Sequence, residues 1–459
     1  MFIASAFLTL THFDFKIMKT IKLLFLFGAL LIAGCDFNGD NSLFNDDNLT
    51  SDPDPTVTSI TPSVNPPFAG IDELTIVGTN FSTEATRNLV YVTFYLPAVN
   101  DAGAIQYGTD GKALRGKVRD AVKATVISAS ATQLRVKTPA RPSFDVADPK
   151  TRPLENVDVR VAVLGAENFS TTKALDLLPV YEPFPKTTFD AKTEEPYGMT
   201  RDAQNNFFIS LFKAGSSDGV WKVTPTGERT QFLTPANVQN FKLDDLAYKD
   251  AEAYLYGVRG LRAIFRFKQN GAQETFVAIP TTNETAKLVT LVFDSKGILW
   301  TGGNNKYIYR VLADKTVKSY AFEADVRALR AANGYLYVLA KRTGVWGVWR
   351  FAINATTNDL GTEETVGTME LGANEAFSMA LATNGDVIVG TNRTPDPIMV
   401  ISGGQTSTLY AGILTGMVRS MVWGANPTLY VGQGTLPTGT SSAISPALYT
   451  LNTRRSGAY

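Results

Sequence analysis

"VTLVFDSKGILWTG", residues 289–302, runs from an apolar strand start through a polar turn at 294–297 into a second strand of alternating large and small residues. Five other stretches repeat the design: "YGMTRDAQNNFFIS" (197–210), "DDLAYKDAEAYLYG" (244–257), "RALRAANGYLYVLA" (327–340), "FSMALATNGDVIVG" (377–390) and "RSMVWGANPTLYVG" (419–432). With Met199, Leu246, Leu291, Leu329, Met379 and Met421 as equivalent anchors, the unit returns roughly every 40–50 residues, the length of one four-stranded propeller blade.

Further strands complete most units. "GVWKVTP" (219–225), "AIFRFKQ" (263–269), "YIYRVLA" (307–313), "GVWRFAI" (347–353), "PIMVISG" (397–403) and "ALYTLNT" (447–453) fit third strands, and "RTQFL", "TFVAI", "VKSYAF" and "TSTLYAG" fit outer ones. Little chain follows Thr453, so "KTTFDA" (186–191) is the expected fourth strand of the last blade, closing the ring and leaving no free sheet edge. The pattern resembles NHL-type six-bladed propellers over residues 181–459.

Upstream, short β-rich runs at 57–60, 74–77, 90–95, 124–128, 133–137 and 157–164 alternate with turn residues, as in a small antiparallel sandwich. "SITP" (59–62), "LTIVGTNF" (74–81), "ATVISASATQLRVKTPA" (124–140) and "VDVRVAVLGAENFST" (157–171) resemble, in order, the IPT/TIG family of immunoglobulin-like domains across residues 55–180. An insert near 100–117 is longer than that family's usual loop. The resemblance implies a spacer or interaction module and no catalytic residues. The expected fold class is therefore all-β, an IPT/TIG sandwich followed by a six-bladed propeller.

The N-terminal segment sets the compartment. From Met18, "MKTIKLLFLFGALLIAG" has two lysines, an apolar stretch too short to span a bilayer, and small residues before Cys35, the order of a secretory signal in residues 1–34. Ile32-Ala33-Gly34-Cys35 resembles a bacterial lipobox, which makes Cys35 a lipidation site. Residues 35–54 are rich in Asp, Asn, Ser and Pro, a disordered tether. Its acidity resembles the export signal of surface lipoproteins of Bacteroidota; a plain solvated linker is the alternative. The expected location is the outer membrane, facing outward, with the lipid as anchor.

Composition narrows the chemistry. The single histidine is His12 and the single cysteine Cys35, so the processed chain lacks Ser/His/Asp and Cys/His catalysis, histidine-based zinc sites and disulfides. Lys plus Arg and Asp plus Glu are both 43, with no basic excess for nucleic acid. No cofactor is expected.

Residues two before each anchor, Tyr197, Asp244, Val289, Arg327, Phe377 and Arg419, should border the channel and could bind a polar ligand by stacking and bidentate hydrogen bonds. Alternatively Asp244, Arg327 and Arg419 neutralise one another. Trp221, Trp300 and Trp349 fall at blade-core positions, and Trp346, in "KRTGVWG", is the better surface candidate. These features point to a non-enzymatic surface lipoprotein that binds a glycan, peptide or protein through the propeller, with the sandwich as spacer. Two alternatives stand beside it. One is a calcium-dependent lactonase-like propeller, for which Glu194, Asp244 and Asp325 are the scattered carboxylates; the other is an envelope assembly lipoprotein.

Overall fold

The computed structural model describes residues 51–144, 148–184, 194–280, 287–304, 306–424, 427–434 and 447–458. Short β-branched and aromatic runs between Gly, Asn and Pro turns make every regular element a strand or a single 3₁₀ turn; no α-helix occurs among the described residues.

The first seven strands are β1 (Thr56–Pro62), β2 (Glu73–Thr79), β3 (Asn88–Pro97), β4 (Arg115–Ala129), β5 (Gln133–Lys137), β6 (Asn156–Val163) and β7 (Lys173–Asp176). They form one sheet in the order β1-β2-β5-β4-β3-β6-β7. β4 is long because it turns the corner: its first half pairs with β3, from Arg115 opposite Pro97 to Ala124 opposite Val90, and its second half with β5. Alternation on β6 points Val157, Val159, Val161 and Val163 inward, against Leu74, Ile76, Phe94 and Leu134. β1 also lies against β6 and β7, so the sheet is nearly closed. The insert expected near 100–117 is a ladder of tight turns, with bridges Val99 to Ile105 and Tyr107 to Ala113, that feeds directly into β4. β7, which the sequence reading missed, is a four-residue edge strand without strong apolar alternation.

Six four-stranded antiparallel sheets follow, and they are propeller blades. Their inner strands are Glu194–Arg201, Asp245–Lys249, Leu288–Phe293, Asp325–Ala332, Ala376–Leu381 and Met417–Trp423. Each touches the next, and the sixth touches the first, which closes the ring. The third strands expected from sequence are all present. Trp300 and Trp349 are buried in the apolar layer that joins blades 3 and 4, and Trp423 is buried with Leu429 and Val431 between blades 5 and 6. Trp221 is half-buried beneath the Arg229 guanidinium, 3.9 Å from its ring.

Closure differs from expectation. The fourth strand of blade 6 is β8 (Tyr181–Pro183), with Tyr181 opposite Leu451 and Pro183 opposite Tyr449; residues 186–191, expected to do this, lie outside the described residues. An outer-edge strand tolerates proline because one side of it needs no ladder donor, so "YEP" disguises itself as linker. Phe184 then inserts between blades 6 and 1, its ring 4.7 Å from Tyr430 and 5.6 Å from Phe207.

The seven-stranded sheet and the propeller share side chains. Phe68 and Val180 belong to the same apolar cluster as Val418, Met421 and Trp423. The buried Asp72 carboxylate pairs bidentately with Arg454, whose guanidinium also lies 4.0 Å from the Phe68 ring centre. Arg141 and Arg152 both engage Glu182 of β8.

Candidate functional site

Tyr197, Asp244, Val289, Arg327, Phe377 and Arg419 converge, as their spacing predicts, on one cavity of about 230 Å³ at the end of the channel where the inner strands begin. What brings them there is a repeated backbone irregularity. In blade 4 Val326 faces Ala340 and Ala328 faces Leu339, so Arg327 is the extra, unpaired residue of a β-bulge. Val289, Phe377 and Arg419 are skipped in the same way in blades 3, 5 and 6. In blade 1 the register slips across Tyr197 and Gly198, and in blade 2 the amide of Asp244 donates to Val258, the partner of Asp245. A bulge re-aims its residue away from the sheet's alternation. Here each one turns a side chain into the mouth.

The next residue inward is small or polar: Gly198, Asp245, Thr290, Ala328, Ser378 and Ser420. Glycines on the second strands leave room for two of these hydroxyls. A Cβ on Gly390 would lie 2.4 Å from Ser378 Oγ, and one on Gly432 2.4 Å from Ser420 Oγ.

The charges are not arranged as the sequence reading expected. Asp244, Arg327 and Arg419 do not neutralise one another; each has a local partner. Arg419 Nη2 donates to Glu195 at 2.8 Å, Arg327 Nη2 reaches Glu375 at 3.5 Å, and Lys242 Nζ stands 3.9 Å from Asp244. The Tyr197 ring lies between two cations, Lys242 Nζ at 3.7 Å and the Arg419 guanidinium at 4.2 Å. Lys242, Glu195 and Glu375 sit outside the repeated anchor pattern, and no signal in the sequence distinguished them.

Burial raises the Asp244 pKa above the usual carboxylate value; the Lys242 and Arg419 charges oppose this and Asp245 adds to it. Ionised Asp244 is thus penalised in the folded state. That penalty is absent below about pH 3.8, where the group is protonated folded or unfolded, and it grows as pH rises through the raised folded value. Asp244→Asn is accordingly expected to raise the thermal midpoint at pH 7 and leave it unchanged at pH 3. A lower midpoint at pH 7 would contradict this account.

Trp346 is not at the surface. It is buried beside Leu339, Met369 and Ile401 between blades 4 and 5, because "KRTGVWG" turns into strand just before it. Its distance from Arg327, 5.9 Å between ring centre and guanidinium, makes it a backing for that arginine and not a lining residue. Cys35 lies outside the described residues. Glu194 is bound by Arg229 at 2.7 and 2.9 Å, away from the cavity lining. Asp325 is the exposed first residue of its strand. Among the described residues, no three His, Cys, Asp or Glu side chains are grouped so as to hold a metal ion.

The other end of the channel opens into a wider cavity of about 550 Å³, lined by Thr200, Arg201, Tyr248, Phe293 and Trp423 among others. Arg330 lines both cavities. Its Nη1 donates to the carbonyl of Leu329 at 2.7 Å and lies 3.5 Å from Asp245, which also accepts from Thr290 Oγ1 at 2.7 Å.

No protein-family model matches the chain, and no curated protein matches it. Among solved structures it is similar to a protein of unknown function from Bacteroides thetaiotaomicron, at 13% identity and a TM-score of 0.42, over 87% of this chain and 98% of that one. It is also similar to a catalytically inactive virginiamycin B lyase from Staphylococcus aureus with quinupristin, at 12% identity and a TM-score of 0.42, over 59% and 98% of the two chains. A third is a putative oxidoreductase (glucose dehydrogenase) from Thermus thermophilus, at 13% identity and a TM-score of 0.40, over 59% and 99%.

Proposed function

We propose that this chain is a non-enzymatic binding protein of the cell surface, held to the outer membrane by a lipid on Cys35 and an acidic tether. The IPT/TIG-like sandwich serves as spacer, and the propeller captures a glycan or peptide at its charged mouth. The observation that carries the proposal is the set of bulges. Register shifts in the inner strands of five blades aim Tyr197, Val289, Arg327, Phe377 and Arg419 at the one cavity that Asp244 of blade 2 also lines, an arrangement that a merely structural channel does not need. Aromatic faces, guanidiniums and a carboxylate converging on a concavity are the usual means of fixing a polar ligand's orientation.

The test is binding by the purified chain to arrays of glycans and peptides, followed by titration of the hits. The combined variant Tyr197→Ala, Arg327→Ala, Phe377→Ala and Arg419→Ala is expected to lose at least about tenfold in affinity, the equivalent of about 1.4 kcal/mol. Hits that bind this variant as tightly as the parent would move the site off the mouth.

A further inference from the structure

The mouth is polarised. Taking the ring in order, Asp244 on blade 2 faces Phe377 on blade 5, and Phe377 is flanked by Arg327 on blade 4 and Arg419 on blade 6. Asp244, with Lys242 Nζ 3.9 Å away, therefore stands on one side and two guanidiniums, each beside a glutamate, on the other, with Tyr197 and Val289 at the waist and Asp245 and Arg330 lining the same cavity.

Hydrogen-bonding capacity at both poles is unused. Neither oxygen of Asp244 accepts a hydrogen bond from the described residues, and its nearest cation is 3.9 Å away. Among the described residues Arg327 makes one hydrogen bond, at 3.5 Å, and its Nε is buried without a partner. Arg419 directs Nη2 to Glu195 and to Met417 Sδ, while its Nε is likewise buried and unpartnered. Ser420, 7% exposed and lining the same cavity, has a buried Oγ with no partner among the described residues. Buried donors and acceptors left unmade are costly, so a ligand that completes them gains accordingly.

The complement of these poles is a molecule with a cationic donor at one end, a carboxylate at the other and a small body between. A water takes about 30 Å³ of liquid, so 230 Å³ is the room of about eight waters, a body of about eight heavy atoms. That is the room of one amino acid, and a glycan or peptide would seat only one residue in it. We infer that the propeller mouth binds a free amino acid as its zwitterion, with the ammonium on Asp244 and the carboxylate between Arg327 and Arg419. Tyr197 and Val289 at the waist, with Phe377 between the two arginines, suit an aliphatic side chain. The inference rests on the mouth being the ligand site and names its ligand class.

Calorimetric titration of the purified chain with L-leucine, N-acetyl-L-leucine and L-leucinamide tests it. The zwitterion is expected to bind, and each singly charged derivative to bind at least about tenfold more weakly. Asp244→Asn should weaken L-leucine by a similar factor and should not weaken N-acetyl-L-leucine, which carries no ammonium for it to hold, with the thermal midpoint confirming that the variant is folded. Absence of L-leucine binding overturns the inference, and so does N-acetyl-L-leucine binding as tightly. If that second ligand is lost in the Tyr197, Arg327, Phe377, Arg419 variant, the mouth survives as a site for anions. If glycans and peptides also ignore that variant's changes, the mouth itself fails.

Discussion

Phe184→Ala is expected to destabilise the whole propeller by about 3–5 kcal/mol, the cost of emptying a buried aromatic site. The ring of Phe184 joins Met199, Phe207 and Leu448 in one buried cluster, so it ties blade 1 to blade 6 just where β8 ends. Its loss leaves a void at the seam between the first and last blades, beside the short pairing of β8 with Ala447–Asn452, which Arg141 and Arg152 also brace through Glu182. Denaturant unfolding measures the loss. Limited proteolysis should place the earliest cuts in blades 1 and 6. Phe184→Leu, which keeps most of the volume, should lose far less. A Phe184→Ala loss below about 1 kcal/mol would mean that the ring is shut without this strand.

Arg454→Ala should be nearly as damaging, for a different reason. Asp72 is 7% exposed and also accepts from the amide of Phe68 at 2.5 Å, so removing Arg454 strands a carboxylate in an apolar joint. Breaking such a pair from one side typically costs about 3–5 kcal/mol. Combining Asp72→Asn with Arg454→Ala removes the charge along with its partner and should recover part of the loss. A double-mutant cycle on thermal or denaturant midpoints reads the coupling. Additive effects would show that Asp72 and Arg454 do not act as a pair.

Most of the propeller was legible because each blade restates the same period-2 alternation and the same polar turn. Six copies let Met199, Leu246, Leu291, Leu329, Met379 and Met421 be aligned without any one of them being decisive. The alignment also found the mouth, since residues at one offset from a common anchor share one place in a repeat architecture. The bulges at Arg327, Phe377 and Arg419 were not legible. A bulge is a property of pairing between two strands, and strand alternation read along one chain does not reveal it. Long-range partners were hidden for the same reason: nothing near Arg419 in sequence announces Glu195, and nothing near Arg454 announces Asp72. "YEP" was passed over because a proline-bearing edge strand has the composition of a linker. Trp346 was misplaced because a turn sequence was extended past Gly344 into the strand that begins at Val345.

The Arg330 and Asp245 pair stands where the two cavities of the channel meet, buttressed by Thr290 and the Leu329 carbonyl. Arg330 is the one residue common to the linings of the two cavities, so a substitution there alters the narrow charged mouth and the broad vestibule beside Tyr248 and Phe293 together.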